Sequence, residues 1–346
     1  MIAYQTTEPG APLSRVEQPD PVPAGTEVLL KTVACGVCHS DIHLHDGLFD
    51  LGGGKTLDVA QKGLTLGHEI FGEVIAVGPE VVDVKPGDRR VVYPWIGCGE
   101  CPSCRRGDEH LCTPGRALGI VRPGGFADRV LVPHSRYLFD KGNVSEPLSA
   151  TYACSGLTAY SALKKLGSLV QGDHVVIIGA GGVGMMAIQI ALSVLNLQPI
   201  VVDIDDDKLA AAQALGAMEV YNSSDPQTAK TIRKTTGGAF AVLDFVGSEA
   251  TVNYGLNCLR KGGRLVVVGL FGGSLSLPIP FLPMNARTIQ GSYVGSLAEM
   301  GELMNLVRQG RIAPIQIHER PLSEATSALD DLKAGRVRGR QVLVNY

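Results

Sequence analysis

Four cysteines crowd into fifteen residues, at Cys98, Cys101, Cys104 and Cys112. Thiolates so close together can enclose one Zn2+ tetrahedrally, with the short turns between them supplying the reach. An iron–sulfur centre is the rival for a C-x2-C-x2-C run. Here the fourth cysteine follows after seven residues, not after three with a proline behind it. The stretch is also charged (Glu100, Arg105, Arg106, Asp108, Glu109). That composition suits a solvent-exposed knuckle whose fold depends on its metal. A second metal-type set lies elsewhere: Cys38, the pair His68–Glu69, and Cys154. A closed four-sulfur site beside a separate, mixed-ligand set assigns one metal to structure and one to chemistry. Cys35 stands two residues before Cys38 without a matching pair elsewhere. It reads as a packed strand thiol, as does Cys258.

A third chemical signal is the run Gly179-Ala-Gly181-Gly182-Val183-Gly184. Alone, G-x-G-x-x-G is weak in a chain with 43 glycines. Context strengthens it, because an apolar strand precedes it, a helix follows, and Asp203 closes the next strand. The glycines permit a tight turn and close approach of backbone to pyrophosphate. The helix N-terminus offers N–H groups and a positive dipole end to the phosphates. Asp203 would accept bonds from the adenosine ribose hydroxyls. A 2′-phosphate there would meet Asp203, Asp205, Asp206 and Asp207 with no arginine to receive it, which favours NAD over NADP.

These residues need two kinds of scaffold. The first ~145 residues read as short strands broken by Gly and Pro, with strands at residues 28–33, 73–78 and 90–92 and a turn at Pro86-Gly87-Asp88. An apolar helical pattern over 149–165 leads into a different regime. Strands at 174–178, 200–203, 241–245 and 264–268 alternate with helices at 183–195 and 208–215. That alternation implies right-handed crossovers and a parallel sheet. The expected class is α/β: a β-rich domain over 1–150 and 296–346, its metal lobe at about 94–115, and a doubly wound domain over 151–295.

At 346 residues two domains are the natural expectation, and 45% hydrophobic residues supply their cores. A net charge of −3 without a Lys/Arg run argues against nucleic acid or a membrane surface. The first residues lack a signal-peptide pattern and no segment approaches a membrane span. Clustered cysteines without a secretory signal favour metal in a reducing, cytoplasmic setting over disulfides.

Together these features resemble the zinc-dependent medium-chain alcohol dehydrogenases. The resemblance covers the whole chain. It rests on the segments 36–41 (Gly-Val-Cys-His-Ser-Asp), 67–69 (Gly-His-Glu) and 154–160 (Cys-Ser-Gly-Leu-Thr-Ala-Tyr), the four-cysteine lobe, the glycine fingerprint and the closing Arg338-Gly-Arg340, in the family's order. It implies a GroES-like catalytic domain with a Rossmann domain, two Zn2+ per chain, NAD, and a homotetramer or homodimer. By resemblance, Cys38, His68 and Cys154 bind the catalytic zinc, leaving a fourth position open. Glu69 is the nearby carboxylate and Asp41 orients the histidine ligand. Ser40 takes the substrate proton and His43 passes it to solvent. His39 and Arg340 meet the pyrophosphate, and Lys208 joins Asp203 at the ribose. Thr158, the backbone of Val268, Gly269 and Leu270, and the stretch Ser292-Tyr293-Val294 face the nicotinamide.

The implied reaction is reversible oxidation of a primary or secondary alcohol to its carbonyl, with the metal as Lewis acid and hydride passing to NAD. Ser40, where a threonine is the alternative, and the small Ser155 and Ala159 suggest room for an aryl, cyclic or medium-chain alcohol. Loops 46–64 and 93–96 would wall the pocket, and Trp95 either joins them or simply packs. Segments 265–271 and 275–282 read as strands that pair subunits. His45 and His110 read as solvated surface residues. Three rivals stand beside this. A polyol dehydrogenase of the same fold is disfavoured by Cys154 where such relatives often carry a carboxylate. A quinone or enoyl reductase would need neither metal set. A non-catalytic NAD-binding redox sensor would have no use for Ser40 and His43.

Overall fold

The computed structural model describes residues 1–345, which group into two compact units. The first comprises Met1–Leu48, Asp58–Leu157 and the segment from Gly295. The second comprises Phe49–Leu57 and Thr158–Val294.

The first unit is built on a seven-stranded sheet. Its central strand, Val28–Gly36, pairs antiparallel with Glu69–Val77 on one side and Arg340–Val344 on the other. Nearly every residue of that strand is buried, as its run of Val, Leu, Ala and Cys requires. Arg89–Val92 continues the sheet beyond Glu69–Val77, and Ile317–Pro321 flanks the closing strand. The arrangement matters for chemistry because three strand ends converge. Val28–Gly36 delivers the chain to Cys38, Glu69–Val77 begins directly after His68, and Arg340 opens the last strand.

The helix His39–Asp46 starts at Cys38, where Asp41 closes a capping box by accepting the Cys38 N–H at 2.9 Å. It ends at Gly47, whose left-handed φ of 74° suits glycine. A second helical stretch, Glu146–Lys164, is interrupted by a π-turn over Tyr152–Gly156. Such turns are rare and gather at functional sites.

The second unit holds six parallel strands. Their order across the sheet is Glu219–Asn222, Ile200–Asp203, Val175–Ile178, Ala239–Asp244, Leu259–Val267, Thr288–Gly291. In sequence order this is the doubly wound pattern that reverses direction beside its first strand. Val176, Ile178, Ile200, Val202, Val242 and Leu265 form the heart of its core. The helix Asp206–Leu215 is capped by Asp205, which accepts from the Asp207 N–H at 2.9 Å, and stops at left-handed Gly216.

Two expectations fail here. Leu275–Leu282 is not a strand: Phe281 opens a short helix and the residues before it are irregular. Pro278 and Pro280 carry no N–H to give a ladder. Residues 265–267 are a strand, but an interior one already paired on both sides, so it has no free edge to offer a subunit. No helix among the described residues is long and apolar enough to cross a membrane.

Candidate metal centres and dinucleotide site

The lobe cysteines meet. Sγ–Sγ separations are 3.9 Å for Cys98–Cys104, 3.5 Å for Cys101–Cys104 and 3.9 Å for Cys101–Cys112. A tetrahedron with Zn–S bonds of 2.3 Å has edges of about 3.8 Å, so the cradle matches Zn2+ in donor type and size. Backbone N–H groups of Glu100 and Cys101 point at Cys98 Sγ from 3.4 and 3.3 Å. They draw that thiol down to about 6, toward the thiolate a metal needs.

One charge of the lobe is not solvated. Glu109 is buried and accepts from the Gly97 N–H at 3.2 Å and the Tyr137 hydroxyl at 2.6 Å, with Arg136 at 2.9 Å. It is the peg that fixes the lobe to the rest of its unit, and no sequence pattern marked it. Glu109→Ala is expected to cost about 3 kcal/mol by stranding these donors, read as a lower midpoint in urea unfolding. An unchanged midpoint would show that the peg carries no load.

The second set also converges. Ligand atoms of Cys38, His68 and Cys154 lie within 4.8 Å of one another, and all three residues are buried. Both ring nitrogens of His68 are buried without a hydrogen-bond partner among the described residues. Burying them unpaired is costly unless something takes a lone pair. Two thiols and an imidazole nitrogen are a zinc donor set. His68 Nδ1 sits 3.3 Å from Asp41 Oδ1, at ion-pair distance but outside hydrogen-bond geometry, and neither side chain reaches solvent. Burial alone would depress His68, yet Asp41 and Cys38 outweigh it and raise its pKa. A hydrogen bond with the Cys154 thiol holds the Cys38 thiol well below its usual range.

Behind this cradle Glu69 is fully buried. Its Oε1 accepts the Ser155 N–H at 3.0 Å, and its Oε2 pairs with Arg340. Burial pushes the Glu69 pKa up while Arg340 holds it back. The Ser155 N–H belongs to the π-turn, which thus places Cys154 in the cradle and the next amide on Glu69. Trp95 packs here as well: its ring lies 5.3 Å from His68 and its indole N–H donates to Ala153 O at 3.0 Å. Ser40 Oγ lies 4.0 Å from Cys38 Sγ, while His43 is half-buried and His39 exposed. Burial pushes the His43 pKa down.

Two histidines depart from expectation. His45 is buried and bonds Ala11 O at 2.8 Å through Nε2, because the inward face of its helix carries it under the 8–11 turn. His110 is half-buried, not solvated. Cys35 and Cys258 are packed thiols, as read. A surface cleft of about 560 Å3 on the first unit, lined in part by Tyr4, Arg15 and Arg320, contains none of the candidate residues.

In the second unit the fingerprint forms the expected turn. Gly179 is left-handed at φ 94°, and a Cβ on Gly184 would fall 1.8 Å from Gly179 O, so only glycine fits. Helix Gly182–Leu195 begins with the remaining fingerprint residues, Val183 among them. Asp203 accepts from the Ala180 N–H at 2.7 Å and from Ile204 and Asp205. Its carboxylate thus braces the turn and keeps lone pairs to spare. Lys208 stands 3.9 Å from Asp205. Val268, Gly269 and Leu270 follow the fifth strand. Thr158 Oγ1 and Ser292 Oγ are buried without hydrogen-bond partners among the described residues, and Val294 is held at φ 38°. Orphaned hydroxyls and a strained valine are the kind of feature that gathers where a ligand binds.

Two thiol-rich metal cradles on a β-rich unit, with a dinucleotide turn on a doubly wound unit, define a zinc-type, dinucleotide-linked dehydrogenase. Residues 24–141 match the alcohol dehydrogenase GroES-like domain and residues 182–309 the zinc-binding dehydrogenase domain. The chain is 41% identical to an NAD-dependent alcohol dehydrogenase of Sulfurisphaera tokodaii, covering 99% of this chain and 100% of that one. Among solved structures, the alcohol dehydrogenase of Aeropyrum pernix superposes with a TM-score of 0.89 at 31% identity, covering both chains fully. A D-arabinose dehydrogenase of Sulfolobus solfataricus gives 0.83 at 28% identity, covering 99% of each. The chain belongs to the zinc-containing, medium-chain alcohol dehydrogenase family.

Proposed function

We propose that this protein is a zinc-dependent, NAD-linked alcohol dehydrogenase that interconverts primary or secondary alcohols with aldehydes or ketones. The observation that carries the reading is the buried Cys38–His68–Cys154 cradle, in which His68 Nδ1 faces Asp41 and Nε2 has no hydrogen-bond partner among the described residues. Cys38, His68 and Cys154 would hold the catalytic zinc, and Cys98, Cys101, Cys104 and Cys112 the structural one. When bound, the metal supplies Lewis acidity and NAD supplies the hydride acceptor. Asp41 fixes the His68 ring, and Arg340 with the Ser155 N–H holds Glu69 at the back of the cradle. Ser40 Oγ takes the proton the alcohol gives up, and His43 passes it to water. Its depressed pKa keeps His43 neutral, and so able to accept, at pH 7.

On the cofactor side, the Gly179–Gly184 turn would cradle the pyrophosphate with His39 and Arg340. Asp203 and Lys208 would hold the ribose. Thr158, Val268, Gly269, Leu270, Ser292 and Val294 would line the nicotinamide end. The free thiols of both cradles call for a reducing, cytoplasmic setting. The proposed assembly is a homotetramer or homodimer, which elution from gel filtration at monomer size would refute.

NADH formation over ethanol, hexanol, benzyl alcohol and cyclohexanol tests the reaction, and silence across the panel in zinc-loaded protein would overturn it. The likeness to a D-arabinose dehydrogenase favours one second reading, a sugar or polyol substrate, so D-arabinose and sorbitol belong in the same panel. His43→Gln is expected to lower kcat about 10²-fold at pH 7, with partial rescue by added imidazole. In the parent, activity should persist below the ordinary histidine range and fall only as His43 itself takes a proton. A variant with unchanged kcat and pH profile would remove His43 from the proton path.

A further inference from the structure

Residues Phe49–Leu57 group with the second unit, although the residues on either side belong to the first. They form most of a β-hairpin, Leu48–Gly52 paired with Lys55–Asp58. Its seat lies on the loop that follows the fifth parallel strand. Gly52 is buried, and a Cβ there would fall 2.2 Å from Gly273 O. Gly272 in turn lies under Asp50: a Cβ on it would meet Asp50 Cβ at 2.8 Å. Asp50 Oδ1 also accepts the Gly52 N–H at 2.7 Å, fixing the turn that presents Gly52.

Beneath, the same loop rests on a second layer. Phe271 and Gly272 donate to Val246 O at 3.2 Å and Gly247 O at 3.1 Å. A Cβ on Gly247 would come within 1.9 Å of Gly269 O. The Asp244 carboxylate holds that lower layer through Val246 N–H, Gly247 N–H and Thr251 Oγ1. Segment 268–273 is therefore clamped between two backbones, with glycines at the points of contact on both faces. Side chains would force the three layers apart.

We infer that the 48–58 hairpin is a positioning element for the Val268–Leu270 segment, acting through the Gly52–Gly273 and Asp50–Gly272 contacts. The inference rests on the proposal that this segment contacts the nicotinamide end of NAD. Val268–Leu270 would then present its backbone to the cofactor at a fixed height only while the hairpin is seated. The residues that set dinucleotide affinity thus include a stretch far outside the fingerprint.

The hairpin carries its own control. Gly52 and Gly54 have the same left-handed backbone, φ 78° and 75°, but a Cβ on Gly54 meets nothing within 4 Å. Gly54→Ala bears the strain alone, and Gly52→Ala bears strain and collision together. Two readouts on the full-length protein separate them: hydrogen exchange at the Phe271 and Gly272 amides, and NADH affinity by fluorescence titration. Gly52→Ala is expected to speed exchange about tenfold and to weaken NADH binding about tenfold, with Gly54→Ala within about twofold of the parent on both. Asp50→Ala, which adds no bulk, should move both readouts the same way by less. Equal effects of Gly52→Ala and Gly54→Ala would overturn the inference, as would faster exchange with unchanged NADH affinity. If the parent itself fails to bind NADH, the cofactor reading falls and exchange alone judges the seat. Should Gly52→Ala not fold, Asp50→Ala decides, and parent-like values on both readouts overturn the inference.

Discussion

Cys38→Ala is expected to abolish measurable turnover while leaving NADH binding largely intact, and to drop bound zinc from two ions per chain to one. Cys38 is one of three buried candidate ligands whose donor atoms lie within 4.8 Å of each other. It also begins the helix that carries Asp41. Without the thiolate, one sulfur and one nitrogen remain, too few to hold zinc against water. Loss of Lewis-acid stabilisation worth several kcal/mol corresponds to about three or four orders of magnitude in rate. The dinucleotide turn lies in the other unit, built on its own core, and does not draw on Cys38. Cys35→Ala is the matched control. Cys35 is buried in the central strand, against the positions of Gly67 and Gly125, so its loss costs about 1 kcal/mol of packing and should leave both metals in place. Metal analysis by mass spectrometry beside initial rates gives the answer. Retained turnover in Cys38→Ala would sink the metal mechanism.

Emptying the lobe should strike stability rather than chemistry. Its helix Pro102–Arg105 spans four residues and buries none of them. The segment has too little apolar surface to hold itself together. Structural zinc in small peptides contributes about 10–16 kcal/mol, as much as the net stability of a whole domain. Cys101→Ala is therefore expected to lower the Tm by more than about 10 °C and to open the exposed Arg105 and Arg106 to trypsin. The cleavage pattern and the melting curve together test this. A variant with parental Tm and no new cut would show that the four thiols hold no structural metal.

How far the chain could be read depended on the distance over which each feature is encoded. The lobe and the glycine turn are local: their ligands and turn residues sit within a few positions, and spacing alone carries the geometry. Four of the six parallel strands are legible for the same reason, since buried parallel strands are unbroken apolar runs; Glu219–Asn222 and Thr288–Gly291, at the two edges of the sheet and only partly buried, carry no such run. The convergence of Cys38, His68 and Cys154 is not legible. It depends on strand pairing, with Gly36 set opposite Glu69, and on a π-turn that periodicity does not announce. Resemblance brought those residues together on paper; spacing did not. The burial of His45 and Glu109 is not local information, because it depends on what packs over a polar side chain, and that comes from elsewhere in the chain. The apolar content of Leu275–Leu282 suggests a strand, and its two prolines, which give no N–H to a ladder, decide against one. The hairpin's allegiance to the second unit left no trace at all in its neighbourhood.

The two metal sites also differ in when a growing chain can complete them. The lobe's four ligands emerge within fifteen residues of one another, so it can take up its ion while most of the protein is still unmade. The other cradle needs Cys154, and the partner of its buried Glu69 is Arg340, 271 residues further along on the strand that seals the sheet. Until that strand arrives, Glu69 lacks its counter-charge and the central strand lacks a partner over Ala34–Gly36. Synthesis in zinc-poor medium should therefore yield chains whose first equivalent of metal resides in the lobe. The second waits for release from the ribosome and closure of the sheet.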